Sequence, residues 1–181
     1  MTAASSQQPA ASSKHTISCL VENHFGVLAR VSGLISARGF NISSLTVGET
    51  EDPTMSRMTI VVEGDERTLE QVKKQLNRLI DVIKVQELKE GEFIDREMIL
   101  VKIGVTAKQR AEVIEIADTF QGKIADAHPD AIVVECAGDR EKIDALVEAL
   151  KPFKMLEVVR TGRIALGRGA PKDAKKSSKE T

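Results

Sequence analysis

Two asparagines flank one short amphipathic segment in the run ENHFGVLARVSGLISARGFNI, from Glu22 to Ile42. Asn23 stands before the segment and Asn41 just beyond Gly39, which ends it. Val27, Leu28, Val31, Leu34 and Ile35 recur at helical spacing, so Gly26 falls at the helix start. Helix starts gather unpaired N–H groups and a partial positive charge, and a carboxylate binds there without a dedicated cation. Gly26 has no Cβ, which lets a ligand approach the N–H groups of Gly26, Val27 and Leu28. Side-chain amides on both flanks would grip an amino acid at its two charged ends. The chemistry implied is sensing of a small amino acid, not catalysis. The plainer reading makes Asn23 an N-cap, Gly26 a steric convenience and Asn41 the completion of a turn.

Magnitudes suit a metabolite sensor. Charge-assisted hydrogen bonds contribute about 1.5–3 kcal/mol each, and burying a small branched side chain adds a similar amount. After the cost of association, an affinity on the order of micromolar to sub-millimolar is expected. One methylene is worth only about 1–3 kcal/mol, so valine, leucine and isoleucine would be separated weakly.

Other groups offer less. His15, His24 and His128 show no metal-ligand spacing and no carboxylate or cysteine arranged in sequence to complete a site, so no metal is expected. Phosphate-loop, dinucleotide and nucleophile-elbow patterns are missing. Arg38 and Arg57 read as a helix-end cation and a hairpin surface charge.

The elements that must position the asparagines recur twice. His15 to Val21 alternates as a strand, followed by the Val27–Ile35 helix and by strands Asn41 to Val47 and Met58 to Glu63, which a polar hairpin from Gly48 to Arg57 joins. Asp65 or Thr68 caps a second helix with Leu69, Val72, Leu76, Leu79 and Ile80 on its apolar stripe, and Val82 to Leu88 is a closing strand. After a polar link at Gly91 the order returns. A strand over Met98 to Gly104 precedes a helix over Lys108 to Phe120 with Val113, Ile114, Ala117 and Phe120 inward. Strands to Ala127 and over Ala131 to Ala137 follow, then a helix over Glu141 to Leu150 and one extended stretch from Leu156 to Leu166. The expected fold class is α+β, two consecutive ferredoxin-like βαββαβ sandwiches.

The expected organisation is a disordered tail over 1–13, a first domain over 14–90, a second over 91–168 and a disordered Lys-rich tail over 169–181. The halves share Gly64-Asp65 and Gly138-Asp139 before the second helix, and Gly39 and Gly122 after the first. They do not share the candidate site. The second half has Thr106 to Gln109 in place of Asn23 to Gly26, and aligning Gly39 with Gly122 puts Ile124 opposite Asn41. That asymmetry favours a function for the asparagines in the first half.

The 181 residues carry 26 basic against 27 acidic side chains, a net charge of -1 with no global field to attract nucleic acid or an anionic membrane. Tyr and Trp are absent and Phe numbers five, which removes the aromatic platform that sheet-based RNA binding uses. Cys19 and Cys136 lie in separate apolar runs and read as buried free thiols of a reducing cytoplasm. No run reaches membrane-spanning length and MTAASSQQPAASS lacks the apolar core of a secretory signal, so a soluble cytoplasmic protein is expected.

The run ENHFGVLARVSGLISARGFNISSLTVGETEDPTMSRMTIVV, the following LEQVKKQLNRLIDVIKV, the REMILVKI strand and the late GRIALGRG resemble the regulatory small subunits of acetolactate synthase, or acetohydroxyacid synthase. The resemblance covers residue 14 to about 169. It implies an N-terminal ACT domain, an ACT-like second domain and a homodimer through the ACT domains, with valine held at their interface. Asn23, Gly26, Val27, Leu28, Asn41 and Ile42 match the family's valine-binding positions, the helix-start loop coming from one subunit and the asparagine from the other. His24 and Phe25 fill loop positions that vary in the family. The resemblance further implies no cofactor in this chain and a separate catalytic subunit carrying thiamine diphosphate, magnesium and FAD, activated by this one and made sensitive to valine; the weak discrimination by one methylene admits leucine or isoleucine as further effectors. Two other readings compete: a free-standing ACT sensor acting on a different enzyme, and an acylphosphatase-like enzyme. The second wants an arginine in the loop before the first helix, and Arg30 lies a turn into it.

Overall fold

The computed structural model describes residues 13–169, so the two expected tails lie outside the described residues except for Ser13 and Gly169. Ser13 is not tail: it opens the first strand, where its backbone pairs with Gly64 and its hydroxyl donates to the Gly64 carbonyl. Chain contacts divide the structure into two compact units that part between Phe93 and Ile94.

The first unit runs β1 (Ser13–Glu22), α1 (Val27–Ser36), β2 (Asn41–Glu49), β3 (Met55–Gly64), α2 (Glu66–Leu76) and β4 (Val82–Leu88). Its antiparallel sheet has the order β2-β3-β1-β4, the βαββαβ topology expected from the alternating and helical periodicities. Ile17, Cys19 and Val21 of β1 and Met58, Ile60 and Val62 of β3 face the helices, which return Val27, Val31 and Ile35 from α1 and Leu69, Val72 and Leu76 from α2. Each such aliphatic side chain stabilises the fold by about 1.5–3 kcal/mol through burial. The helical stripe ends sooner than its spacing suggests. α2 stops at Leu76, Leu79 still packs on the core, and Ile80 is 91% exposed. The chain turns at 77–81 through short-range bonds such as Leu79 N–H to the Leu76 carbonyl, and that turn rotates Ile80 off the stripe.

The second unit runs β5 (Phe93–Gly104), α3 (Ala107–Thr119), β6 (Lys123–His128), β7 (Ala131–Gly138), α4 (Arg140–Leu150), β8 (Lys154–Arg160) and β9 (Ile164–Gly167). Its order is β6-β7-β5-β8, the same path as in the first unit, with β9 added on β5. β5 starts five residues earlier than Met98. The single stretch expected over Leu156 to Leu166 is two strands, broken at Gly162, whose φ is +81°. Val113 and Ala117 are buried, while Ile114 and Phe120 pack on the core from its margin.

No helix among the described residues is long and apolar enough to cross a membrane.

Candidate functional site

Among the described residues, three of the four helices begin on a side-chain cap, and the exception is α1. Asp65 accepts from Thr68 N–H at 2.8 Å and Asp139 from Lys142 N–H at 2.9 Å. Thr106 and Gln109 form a reciprocal capping box, each side chain accepting the other's backbone N–H. At α1 the N-cap is Gly26, with φ +86° and no side chain to cap the first turn. A Cβ there would meet only Arg30 Nη1, at 3.9 Å, so backbone conformation rather than space calls for glycine. Helix starts at corresponding places in the two units are thus closed by Thr106 and Gln109 in one and left open at Gly26 in the other.

Asn23 is not the cap. Its Nδ2 donates to the Pro53 carbonyl at 2.9 Å and to Glu49 Oε1 at 3.2 Å, and its backbone N–H to Thr54 O at 2.6 Å. These bonds tie the helix-start loop to the β2–β3 hairpin. Asp52 shapes that hairpin by accepting from the hydroxyl and N–H of Thr54, which hold its carboxyl below the usual range. Val27 is buried, so its backbone alone faces the loop, while Leu28 is 46% exposed.

Asn41 lies elsewhere. It opens β2 opposite Glu63, and its Nδ2 donates to Glu63 Oε2 at 3.1 Å. Hydrogen bonds from Ser43 and then Asn41 hold the Glu63 carboxyl below its ordinary range. Ile42 packs against the core. In the first sheet, Glu22 pairs with Met55 and Asn41 with Glu63, near opposite ends of β3. At roughly 3.3 Å per residue these positions are about 26 Å apart along the strand. The two asparagines of one chain therefore cannot hold one amino acid between them, and the single-chain grip expected from sequence does not form.

The repeat alignment shifts as well. After α1 the left-handed residue is Gly39, at φ +72°, but after α3 it is Gln121, at φ +53°. Gly122 is needed for another reason, since a Cβ there would lie 2.9 Å from the Glu135 carbonyl oxygen. β2 and β6 both start two residues past the left-handed position, and both ladders break register after the second pair. Lys123, not Ile124, thus corresponds to Asn41, and Glu135 to Glu63.

Around the loop the fold gathers groups that sequence spacing did not connect. His24 Nε2 lies 3.1 Å from Glu22 Oε2 and 3.1 Å from Asp81 Oδ1, and Arg30 Nε donates to Asp81 Oδ2 at 2.8 Å. The Asp81 side chain is only 7% exposed. His24 does have carboxylates arranged about it, one of them 57 positions on in the chain. The signal available was an aspartate inside the apolar run Leu79 to Ile83.

Residues 17–84 match the family described as AHAS small subunit-like ACT domain, and residues 96–169 match the small subunit of acetolactate synthase. The first unit is an ACT domain, and the whole is two consecutive ferredoxin-like units. A crystal structure of the acetolactate synthase small subunit from Thermotoga maritima superposes with a TM-score of 0.82 at 37% identity, covering 88% of this chain and 99% of that one. The probable acetolactate synthase small subunit of Methanothermobacter thermautotrophicus is 50% identical over 157 residues, 86% of this chain and 94% of that protein. The acetolactate synthase small subunit of Mycobacterium leprae is 50% identical over 155 residues, 86% of this chain and 92% of that protein. The chain belongs to the acetolactate synthase small-subunit family.

Proposed function

We propose that this chain is the regulatory subunit of acetolactate synthase: it binds and activates the separate catalytic subunit and makes it inhibitable by valine. The thiamine diphosphate, magnesium and FAD of the reaction belong to that catalytic partner. Valine binds between two ACT domains, at a site that one methylene of discrimination, about 1–3 kcal/mol, separates only weakly from leucine and isoleucine.

The observation that carries the reading is the separation of the half-sites together with the position of β2. β2 is an edge strand of the first sheet. Two copies pairing antiparallel through β2 about Leu45 would set Asn41 of one opposite Glu49 of the other, and Glu49 is the residue that Asn23 contacts. Two half-sites about 26 Å apart in one chain then become neighbours in a pair. The uncapped N–H groups of α1 take the carboxylate. Asn41 leaves Glu63 to reach the ligand across the interface, with Ile42 beside it. Valine inhibits only by binding one arrangement of the pair better than another, because equal affinity for both would shift nothing.

Reconstitution with the cognate catalytic subunit tests this: acetolactate formation should rise on adding the chain and fall again with valine. By calorimetry, Asn41→Ala should bind valine about tenfold or more weakly, the loss of a hydrogen bond to a charged group. Equal affinity would remove the site assignment. An unchanged catalytic rate would remove the regulatory role and leave a free-standing sensor.

A further inference from the structure

His24 is held from one side and crowded from the other. Its Nδ1 lies 3.2 Å from the carbonyl oxygen of Phe25, which can only accept, so that nitrogen carries the proton. With the Nδ1 proton so placed, Nε2 is the nitrogen that can offer a lone pair to a cation. It faces Glu22 Oε2 and Asp81 Oδ1, each at 3.1 Å, and the three atoms lie within 4.8 Å of one another. One imidazole nitrogen and two carboxylate oxygens converge on a single point. A carbonyl fixing the distal nitrogen is the arrangement that orients metal-binding imidazoles. The other Asp81 oxygen is occupied by Arg30, which aims Oδ1 at the same point. Zinc bound at about 2.0–2.1 Å by tetrahedral nitrogen and oxygen donors holds them roughly 3.3 Å apart, close to the two spacings found here.

We propose that Glu22, His24 and Asp81 bind a divalent transition-metal ion, Zn2+ in the first instance. One nitrogen and two carboxylate oxygens, with the rest of the coordination left to water, suit zinc and its neighbours better than Mg2+ or Ca2+, which prefer all-oxygen cages. Glu22 and His24 are about half exposed, so the ion enters from solvent. Once bound, it ties the end of β1 and the helix-start loop to the turn before β4. The ion would share the helix-start loop with the amino-acid half-site, since Glu22 and His24 flank Asn23, but it uses other side chains, and metal binding is measured without valine.

The test uses the full, tag-free chain and Zn2+ in competition with a chromophoric chelator, with Co2+ as spectroscopic substitute. One ion per chain is expected. His24→Gln and Glu22→Gln, both at exposed positions, should each weaken binding about tenfold or more. His128→Ala should leave it unchanged, although His128 has its own carboxylate, Asp130, at 3.8 Å. Co2+ should show d–d bands without a thiolate charge-transfer band. Zinc affinity equal in wild type and His24→Gln, or a thiolate band from Cys19 or Cys136, would overturn the proposal. So would the absence of binding, which would mean that a proton occupies the gap.

Discussion

At the level of single residues, Gly26 sets the open helix start through its backbone. A non-glycine residue in the left-handed region costs about 1–2 kcal/mol, and asparagine tolerates it better than alanine. Gly26→Ala should therefore lower unfolding free energy by that amount in urea titrations, with Gly26→Asn closer to wild type. A cost equal to that of an exposed helical alanine swap would show that the φ of +86° is not required. Cys19 makes a second residue-level statement. Burial pushes its thiol up to about 12, so the folded state holds it neutral while the unfolded thiol ionises near its ordinary value of about 8.5. A raised folded pKa contributes stability that is complete below the unfolded value and lost as pH rises toward the folded one. Between those values Cys19 should make unfolding easier by up to about 1.4 kcal/mol per pH unit. Denaturant titrations of wild type and Cys19→Ala at pH 8 and pH 10 measure this, and equal pH slopes would refute it.

At the level of elements, periodicity carried most of the fold and failed where the chain leaves regular structure. The sheet residues Ile17, Cys19 and Val21 and the helical Leu69, Val72 and Leu76 were legible because a fixed period puts them on one face. Ile80 was misplaced because its spacing continues the stripe of α2 while the backbone has already turned. Likewise the break between β8 and β9 depends on a left-handed Gly162 that hydropathy does not register. The loop residues of the candidate site were legible from glycine and asparagine chemistry, but Asp81 approaches His24 only through tertiary structure. The contrast between helix starts belongs to this scale. Thr106→Ala removes the cap that closes α3 and should cost about 0.5–2 kcal/mol, read as a shift in the unfolding of the second unit. No loss of stability would mean that the capping box contributes nothing.

For the whole molecule, the proposed valine site, shared between two copies, would make ligand binding and subunit pairing one equilibrium. On that proposal, a chain whose Glu22 and Asn41 pair with β3 positions about 26 Å apart carries half a site at each end, so an isolated copy should bind valine poorly however well each half is formed. By linkage, a ligand that binds only the pair must tighten it. Each occupied site contributes about 2.7 kcal/mol when free valine is 100 times its dissociation constant, equivalent to a roughly 100-fold shift in the pairing equilibrium. Sedimentation of the chain across a dilution series should therefore show dissociation moving to lower protein concentration when valine is added. Calorimetry should show apparent valine affinity falling once the chain is diluted below its own pairing constant. Asn41→Ala should still pair, because its backbone bonds in β2 remain, yet lose the response to valine. Dissociation that ignores saturating valine would place the whole site within one chain, in conflict with the spacing of its residues along β3.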